Sequence, residues 1–284
     1  MDGAATCYRH PDRETGLSCS ECGRPICVDC MSVAPVGIRC PDHAGSSRPQ
    51  QPVTRRVQHA GRSAALQPAI VTKVLVGLNV GVYLAELATG ATVNANSGKI
   101  FEQGALFGPL VADGDWWRLI TAAFLHYGPI HLGMNMLALW WLGAPVEMAL
   151  GHWRFLLLYI VSGLAGSAGA LIASPTAVTV GASGAIFGML GAGLVLEYEA
   201  TGRLGGNYLT LIIINLAFTF AVPGISIGGH LGGLIAGALG ALVLTGFGRD
   251  RVAFRDVGAS RTLALVGIGV LSVAIAYWKV RGLA

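Results

Sequence analysis

Long apolar runs alternate with short polar breaks over most of the chain, and a polar stretch bearing Cys and His precedes them. A helix needs about 20 apolar residues to cross a bilayer. Runs near that length lie at 68–88, 131–150, 154–173, 183–200, 207–223, 228–247 and 262–280, which predicts seven membrane-spanning helices. The mixed stretch 89–130 reads as a long loop on one membrane face. It carries Trp116, Trp117 and Arg118 with Phe101 and Phe107, a set suited to an interfacial aromatic anchor. Residues 46–66 hold Pro, Gln, Ser and the basic Arg48, Arg55, Arg56 and Arg62, and read as a flexible linker.

Composition agrees with this pattern. Of 284 residues, 53% are apolar and only 12% charged, and the mean hydropathy is +0.61; soluble domains hold about 25% charged residues. The 41 glycines suit closely packed membrane helices. The predicted class is an all-α membrane protein with a small N-terminal domain. A net charge of +4 is small, and the basic residues cluster beside the apolar runs, so they read as topology signals and no nucleic-acid partner is expected. With a cytoplasmic N-terminus, the inner side gathers eleven cations: Arg48, Arg55, Arg56, Arg62, Lys73, Arg154, Arg203, Arg249, Arg251, Arg255 and Arg261. The outer side holds four, Lys99, Arg118, Lys279 and Arg281. The last two, after the seventh helix, run against the positive-inside tendency. The polar N-terminus carries no signal-peptide pattern.

All six cysteines lie between Cys7 and Cys40. With two histidines they form four ligand pairs with two-residue gaps: Cys7 and His10, Cys19 and Cys22, Cys27 and Cys30, Cys40 and His43. Eight soft ligands suit two tetrahedral Zn²⁺ sites. An interleaved arrangement is expected, with Cys7, His10, Cys27 and Cys30 on one ion and Cys19, Cys22, Cys40 and His43 on the other. The competing reading is a disulfide framework, which a reducing cytosol disfavours. Residues 1–45 resemble a B-box-type cross-braced zinc finger, which implies a module that binds a cytosolic protein and has no catalytic role.

Polar groups at membrane depth are costly and mark function. Ser183 opens one predicted helix within Gly181-Ala182-Ser183-Gly184, His230 opens another, and His131 with Asn135 share a face of a third. These three helices run in one direction, and the rise per residue puts the groups within roughly 8 Å of a common depth. Gly184 with Gly188, and Gly233 with Gly237, offer surfaces for close helix contact. A serine hydroxyl needs a base, and imidazole is the usual one. Glu147, Glu197 and Glu199 fall at the far helix ends, about 20 Å from Ser183. Glu86 lies at the outer end of the first helix but beside none of these motifs. The expectation is therefore a Ser183–His230 dyad without a carboxylate, with oxyanion donors drawn from Asn135, His131 and the Ser183 backbone N–H. No His-Glu-x-x-His cluster supports a metalloprotease, and no internal repeat with charged midplane residues supports a transporter.

Taken together, Trp117-Arg118, His126, His131-x3-Asn135, Gly181-x-Ser183-Gly184 and His230-x2-Gly233-x3-Gly237 resemble the rhomboid family of intramembrane serine proteases, over about 68–248. The resemblance implies a six-helix core, set here at 67–250, with a seventh helix in 251–284 as in the six-plus-one subtype. It implies catalysis by Ser183 and His230 without a cofactor, oxyanion stabilisation by Asn135 and His131, and a supporting place for His126 near that pocket. It further implies a half-sunken structural loop at Trp117-Arg118 and a structural hydrogen-bond site at Glu147. The substrates implied are single-pass transmembrane proteins cut near the outer face. The expected location is a bacterial plasma membrane. Phe187 stands where many members have Tyr, and Gly229 where most have Ala. Neither change removes a reacting group, so activity is expected. A non-cutting relative of the family would lack the serine or the histidine.

Overall fold

The computed structural model describes residues 5–33, 37–43, 68–90, 92, 98–246 and 258–283. They divide into an N-terminal unit within Met1–Ser63 and a helical unit within Ala64–Ala284. The expected linker 46–66 lies outside the described residues.

In the N-terminal unit, β1 (Thr6–Cys7) pairs antiparallel with β2 (His10–Glu14), and β3 (Ser32–Val33) with β4 (Ile38–Arg39). Its buried cluster consists of Cys7, Cys19, Cys27, Cys30 and Cys40 around Ile26, with Tyr8 and Ile38 against it. One aliphatic side chain is a small core for such a unit, and metals commonly supply the missing stability.

The helical unit begins with α1 (Ile70–Ala88). Three short helices follow in the long loop: α2 (Lys99–Gly104), α3 (Gly108–Ala112) and α4 (Arg118–Thr121), the last continued by a 3₁₀ turn at Ala122–Phe124. The second predicted span starts three residues early and is not one regular helix. It consists of α5 (Gly128–Ala138), a π-helical stretch Leu139–Gly143 and α6 (Ala144–Leu150). Pro145 gives the reason: it has no N–H, and its ring crowds the carbonyl four residues back, so the preceding turn widens. Then come α7 (His152–Ala173), α8 (Ser183–Thr201), α9 (Asn207–Ala221), α10 (Ile227–Thr245) and α11 (Ala259–Val280). Among the described residues, four helices have the length and apolarity to span a membrane, namely α1, α7, α10 and α11. The glycines and the two glutamates of α8 lower its apolarity, and α9 has only 15 residues.

At the centre, α8 is buried on nearly all sides from Ala185 to Val195, as expected for a helix that is apolar all round. Glycines let α7, α8 and α10 approach one another backbone to backbone. A Cβ built on Gly233 falls on the Gly184 carbonyl, one on Gly237 falls on the Gly188 carbonyl, and one on Gly228 falls on the Gly169 carbonyl. No larger residue fits these positions without separating the helices. The gain is dispersion contact, the main source of helix association in lipid.

Two glutamates on different helices cap the starts of two others: Glu147 on α6 caps α1, and Glu197 on α8 caps α9. Glu147 accepts from the backbone N–H groups of Val71 (2.9 Å) and Thr72 (2.7 Å) and from the Thr72 hydroxyl (2.6 Å). Glu197 accepts from Asn207 N–H (3.0 Å) and Tyr208 N–H (3.1 Å). Carboxylates placed there satisfy orphan N–H donors and meet the positive end of the helix dipole. The final helix packs on α7, with Gly269 against Val161 and Leu164. Its last turn places Ala276 and Val280 with Leu106, Val111, Leu119 and Leu171, at the end of the bundle where the long loop lies.

Candidate active site

The loop before α8 is held from both directions. Leu106 and Thr179 exchange backbone hydrogen bonds of 3.1 and 3.0 Å, and Gly181 N–H donates to the Ala122 carbonyl at 2.8 Å. Gly181 has φ +123°, and a Cβ there would stand 2.7 Å from His131 Cε1. Both backbone conformation and space therefore require glycine. This anchored turn sets Ser183 at the first position of α8.

Ser183 Oγ lies 2.8 Å from His230 Nε2, a contact that follows from the α8–α10 glycine packing. His230 is 8% exposed, and the Phe187 ring stacks on it at 4.0 Å with 17° between planes. A phenyl ring suffices for this stacking. On the other side of the imidazole, Nδ1 is 2.7 Å from Thr219 Oγ1 on α9. Sequence reasoning missed Thr219, because a threonine in an apolar helix resembles the many that bond their own backbone.

His131 and Asn135 face the same cavity. The Tyr127 backbone N–H donates to His131 Nδ1 at 3.1 Å, so the neutral ring carries its proton on Nε2. That edge points at Gly181, since a Cβ built there would lie 2.9 Å from Nε2. Asn135 Nδ2 donates to the His131 carbonyl at 2.9 Å and keeps a second N–H. Both residues, with Ser183 and His230, line a cavity of about 640 Å³. No Asp or Glu is among the lining residues.

His126 is placed differently. It is 2% exposed, and its ring lies 5.1 Å from that of His131, with neither ring nitrogen hydrogen-bonded. It backs His131 and does not line the cavity. Glu86 is equally buried, with one carboxylate oxygen unpartnered. Arg118 is a staple within the long loop: its guanidinium donates to Asp115 Oδ2 (2.9 Å) and to the carbonyls of Glu102 and Ala105 (2.8 Å each). Trp117 Nε1 donates to the Gln103 carbonyl at 3.1 Å, while its ring stays 40% exposed. Glu147 lies at the opposite end of α5–α6 from His131, and Gly233 and Gly237 act through packing.

In the N-terminal unit, the eight Cys and His residues gather into two groups: Cys7, His10, Cys27 and Cys30, and Cys19, Cys22, Cys40 and His43. Within each group the donor atoms all lie within 4.8 Å of one another. All six cysteines are free thiols, so no disulfide framework is formed. Cys27 and Cys30 Sγ are each 3.4 Å from His10 Nδ1, and Cys22 Sγ is 3.7 Å from Cys40 Sγ. Zn–S bonds of about 2.3 Å at tetrahedral angles give ligand separations of about 3.5–3.8 Å, so the donor sets fit such an ion. Burial pushes the Cys7 thiol up, but backbone hydrogen bonds at Cys27 and Arg9 and the His10 ring bring it down from 9.0 to about 6. A thiolate is the form that binds metal.

Comparison with known proteins concerns the helical unit. A family model described as the Rhomboid domain matches residues 113–247. The chain is 44% identical over 169 residues to rhomboid protease GluP of Bacillus subtilis, covering 57% of this chain and 32% of that protein. It is 40% identical over 134 residues to YdcA of the same organism, a rhomboid-named relative, covering 45% of this chain and 67% of that one. It is 37% identical over 151 residues to RHOMBOID-like protein 5 of Arabidopsis thaliana, covering 50% of this chain and 48% of that protein. The chain thus spans a third of GluP and about half of RHOMBOID-like protein 5.

Proposed function

This chain belongs to the rhomboid family, and from that premise we propose that it is an intramembrane serine endopeptidase. Its substrates are single-pass transmembrane proteins, cut near the outer face of a bacterial plasma membrane, with the N-terminus in the cytoplasm. The observation that carries the reading is the 2.8 Å contact between Ser183 Oγ and His230 Nε2 inside the cavity lined by His131 and Asn135.

The mechanism follows from this geometry. Ser183 Oγ attacks the scissile carbonyl carbon as its proton passes to His230 Nε2. The carbonyl oxygen becomes an oxyanion, and the Asn135 side-chain N–H, the His131 Nε2–H and the Ser183 backbone N–H are the donors that stabilise it. His230 returns the proton to the leaving amine, and the peptide bond breaks to give an acyl-serine. Water attacks the acyl carbon as His230 takes its proton; the bond to Ser183 Oγ then breaks, His230 returns the proton to that oxygen, and the carboxylic acid product leaves.

A fluorophosphonate probe tests the reading, because it reacts only with an activated serine. The purified protein in detergent should be labelled at Ser183, and Ser183→Ala should not. An unlabelled wild type, or equal labelling of both proteins, refutes the protease.

We further read the two N-terminal donor sets as structural Zn²⁺ sites. When bound, zinc supplies folding energy there and takes no part in peptide cleavage. Cys7, His10, Cys27 and Cys30 would hold one ion, and Cys19, Cys22, Cys40 and His43 the other. Elemental analysis of the purified chain should find two zinc ions per molecule, and one in Cys40→Ser. Fewer than two in the wild type contradicts the two-site reading.

A further inference from the structure

The imidazole is held on three sides, and one of those contacts has no part in the mechanism above. Thr219 is 2% exposed. Its hydroxyl makes two hydrogen bonds of 2.7 Å, one to the Asn215 carbonyl and one to His230 Nδ1. A hydroxyl has one proton and two lone pairs, and a carbonyl oxygen only accepts. The bond to Asn215 therefore uses the hydroxyl proton, and only a lone pair remains to face Nδ1. A neutral imidazole carries a single proton, so a proton on Nδ1 leaves Nε2 bare and facing Ser183 Oγ.

We propose that Thr219 is the positioning residue of the catalytic base: it fixes the His230 proton on Nδ1 and so keeps the Nε2 lone pair aimed at Ser183. The proposal rests on the protease reading of Ser183 and His230. The resulting chain runs Ser183 O–H to Nε2, Nδ1–H to Thr219 Oγ1, and Thr219 O–H to the Asn215 carbonyl. When the ring takes the serine proton and becomes imidazolium, the Nδ1–H bond to Thr219 becomes charge-assisted and strengthens. No proton leaves Nδ1 at any step, and Thr219 keeps its own. In a Ser-His-Asp triad a buried carboxylate holds the ring tautomer and the imidazolium. Here the cavity lining has no carboxylate, and a hydroxyl backed by a helix carbonyl occupies that place. A threonine bonding its own helix four residues back is ordinary. What distinguishes Thr219 is that the same oxygen is also directed at the base.

The test combines rates and a spectroscopic signature, on the full chain in detergent. Thr219→Val removes the hydroxyl at nearly constant shape. It should slow fluorophosphonate labelling of Ser183 about ten- to a hundredfold, the range for losing a hydrogen bond to a charged group. Thr219→Ser restores the acceptor and should recover labelling to within about threefold of wild type. Nitrogen-15 NMR of histidine-labelled wild type, assigned by the signals missing in His230→Asn, should show Nδ1 protonated and Nε2 bare when the ring is neutral. That measurement needs no Thr219 variant to fold. A wild-type proton on Nε2, or full-rate labelling of Thr219→Val, overturns the Thr219 role while leaving the protease reading intact. A wild type that the probe does not label overturns both.

Discussion

Replacing His230 with alanine is expected to lower the cleavage rate by about 10³-fold or more, with substrate affinity nearly unchanged. The size follows from the role of the imidazole in the proposed mechanism. An alcohol is a very poor nucleophile at neutral pH until its proton is taken, and His230 Nε2, at 2.8 Å, is the group in contact with Ser183 Oγ. No Asp or Glu lines the cavity to substitute for it. The same imidazole must also protonate the leaving amine, so its loss affects both halves of acylation. The measurement is steady-state cleavage of a transmembrane substrate in proteoliposomes, with kcat and KM resolved and the thermal melt recorded beside them. A variant that melts like wild type and turns over normally would remove His230 from the chemistry. Loss of kcat with loss of folding would instead point to the packing of Phe187 on the ring. His230→Gln, which keeps bulk against Phe187 without a comparable base, separates the two and should be as inactive as the alanine variant.

The features that sequence could and could not reveal divide on physical lines. The helices were legible because apolar length is a strong signal, and α8 and α11 begin or end within a few residues of expectation. The approach of α8 to α10 was legible because paired small residues state which faces can touch, and Gly233 does meet Gly184. The four Cys and His pairs were legible from their two-residue gaps, but a gap does not say which pairs share a group; that is set by how the strands and turns of the N-terminal unit fold together. The π-helical stretch was not foreseen, although Pro145 was in view, because an apolar run says nothing about hydrogen-bond register. Thr219 was invisible for a different reason. Its contact with His230 crosses from α9 to α10, and it depends on how two helices are rotated about their axes, which no short motif encodes. The partners of Arg118 are mainly backbone carbonyls, and these carry no residue signature at all.

Asn135→Ala should lower kcat/KM by about 10²–10³-fold, the usual cost of removing one oxyanion donor. One Asn135 N–H is committed to the His131 carbonyl at 2.9 Å, and the other is free for the cavity that Asn135 lines. An oxyanion exists only along the reaction path, so the loss should fall on kcat and leave KM nearly constant. The committed N–H complicates the alanine variant, because its removal also frees a local contact worth about 1 kcal/mol of stability. Asn135→Asp resolves this. It keeps the shape, offers no N–H when ionised, and sets a negative charge beside the developing one, so it should be at least as impaired as alanine. Ser183 labelling by the fluorophosphonate should slow in parallel with cleavage, since its phosphoryl oxygen occupies the same donor pocket. If both variants cut within about threefold of wild type, the oxyanion is held by His131 Nε2–H and the Ser183 backbone N–H without Asn135, and its place on the shared face with His131 is structural.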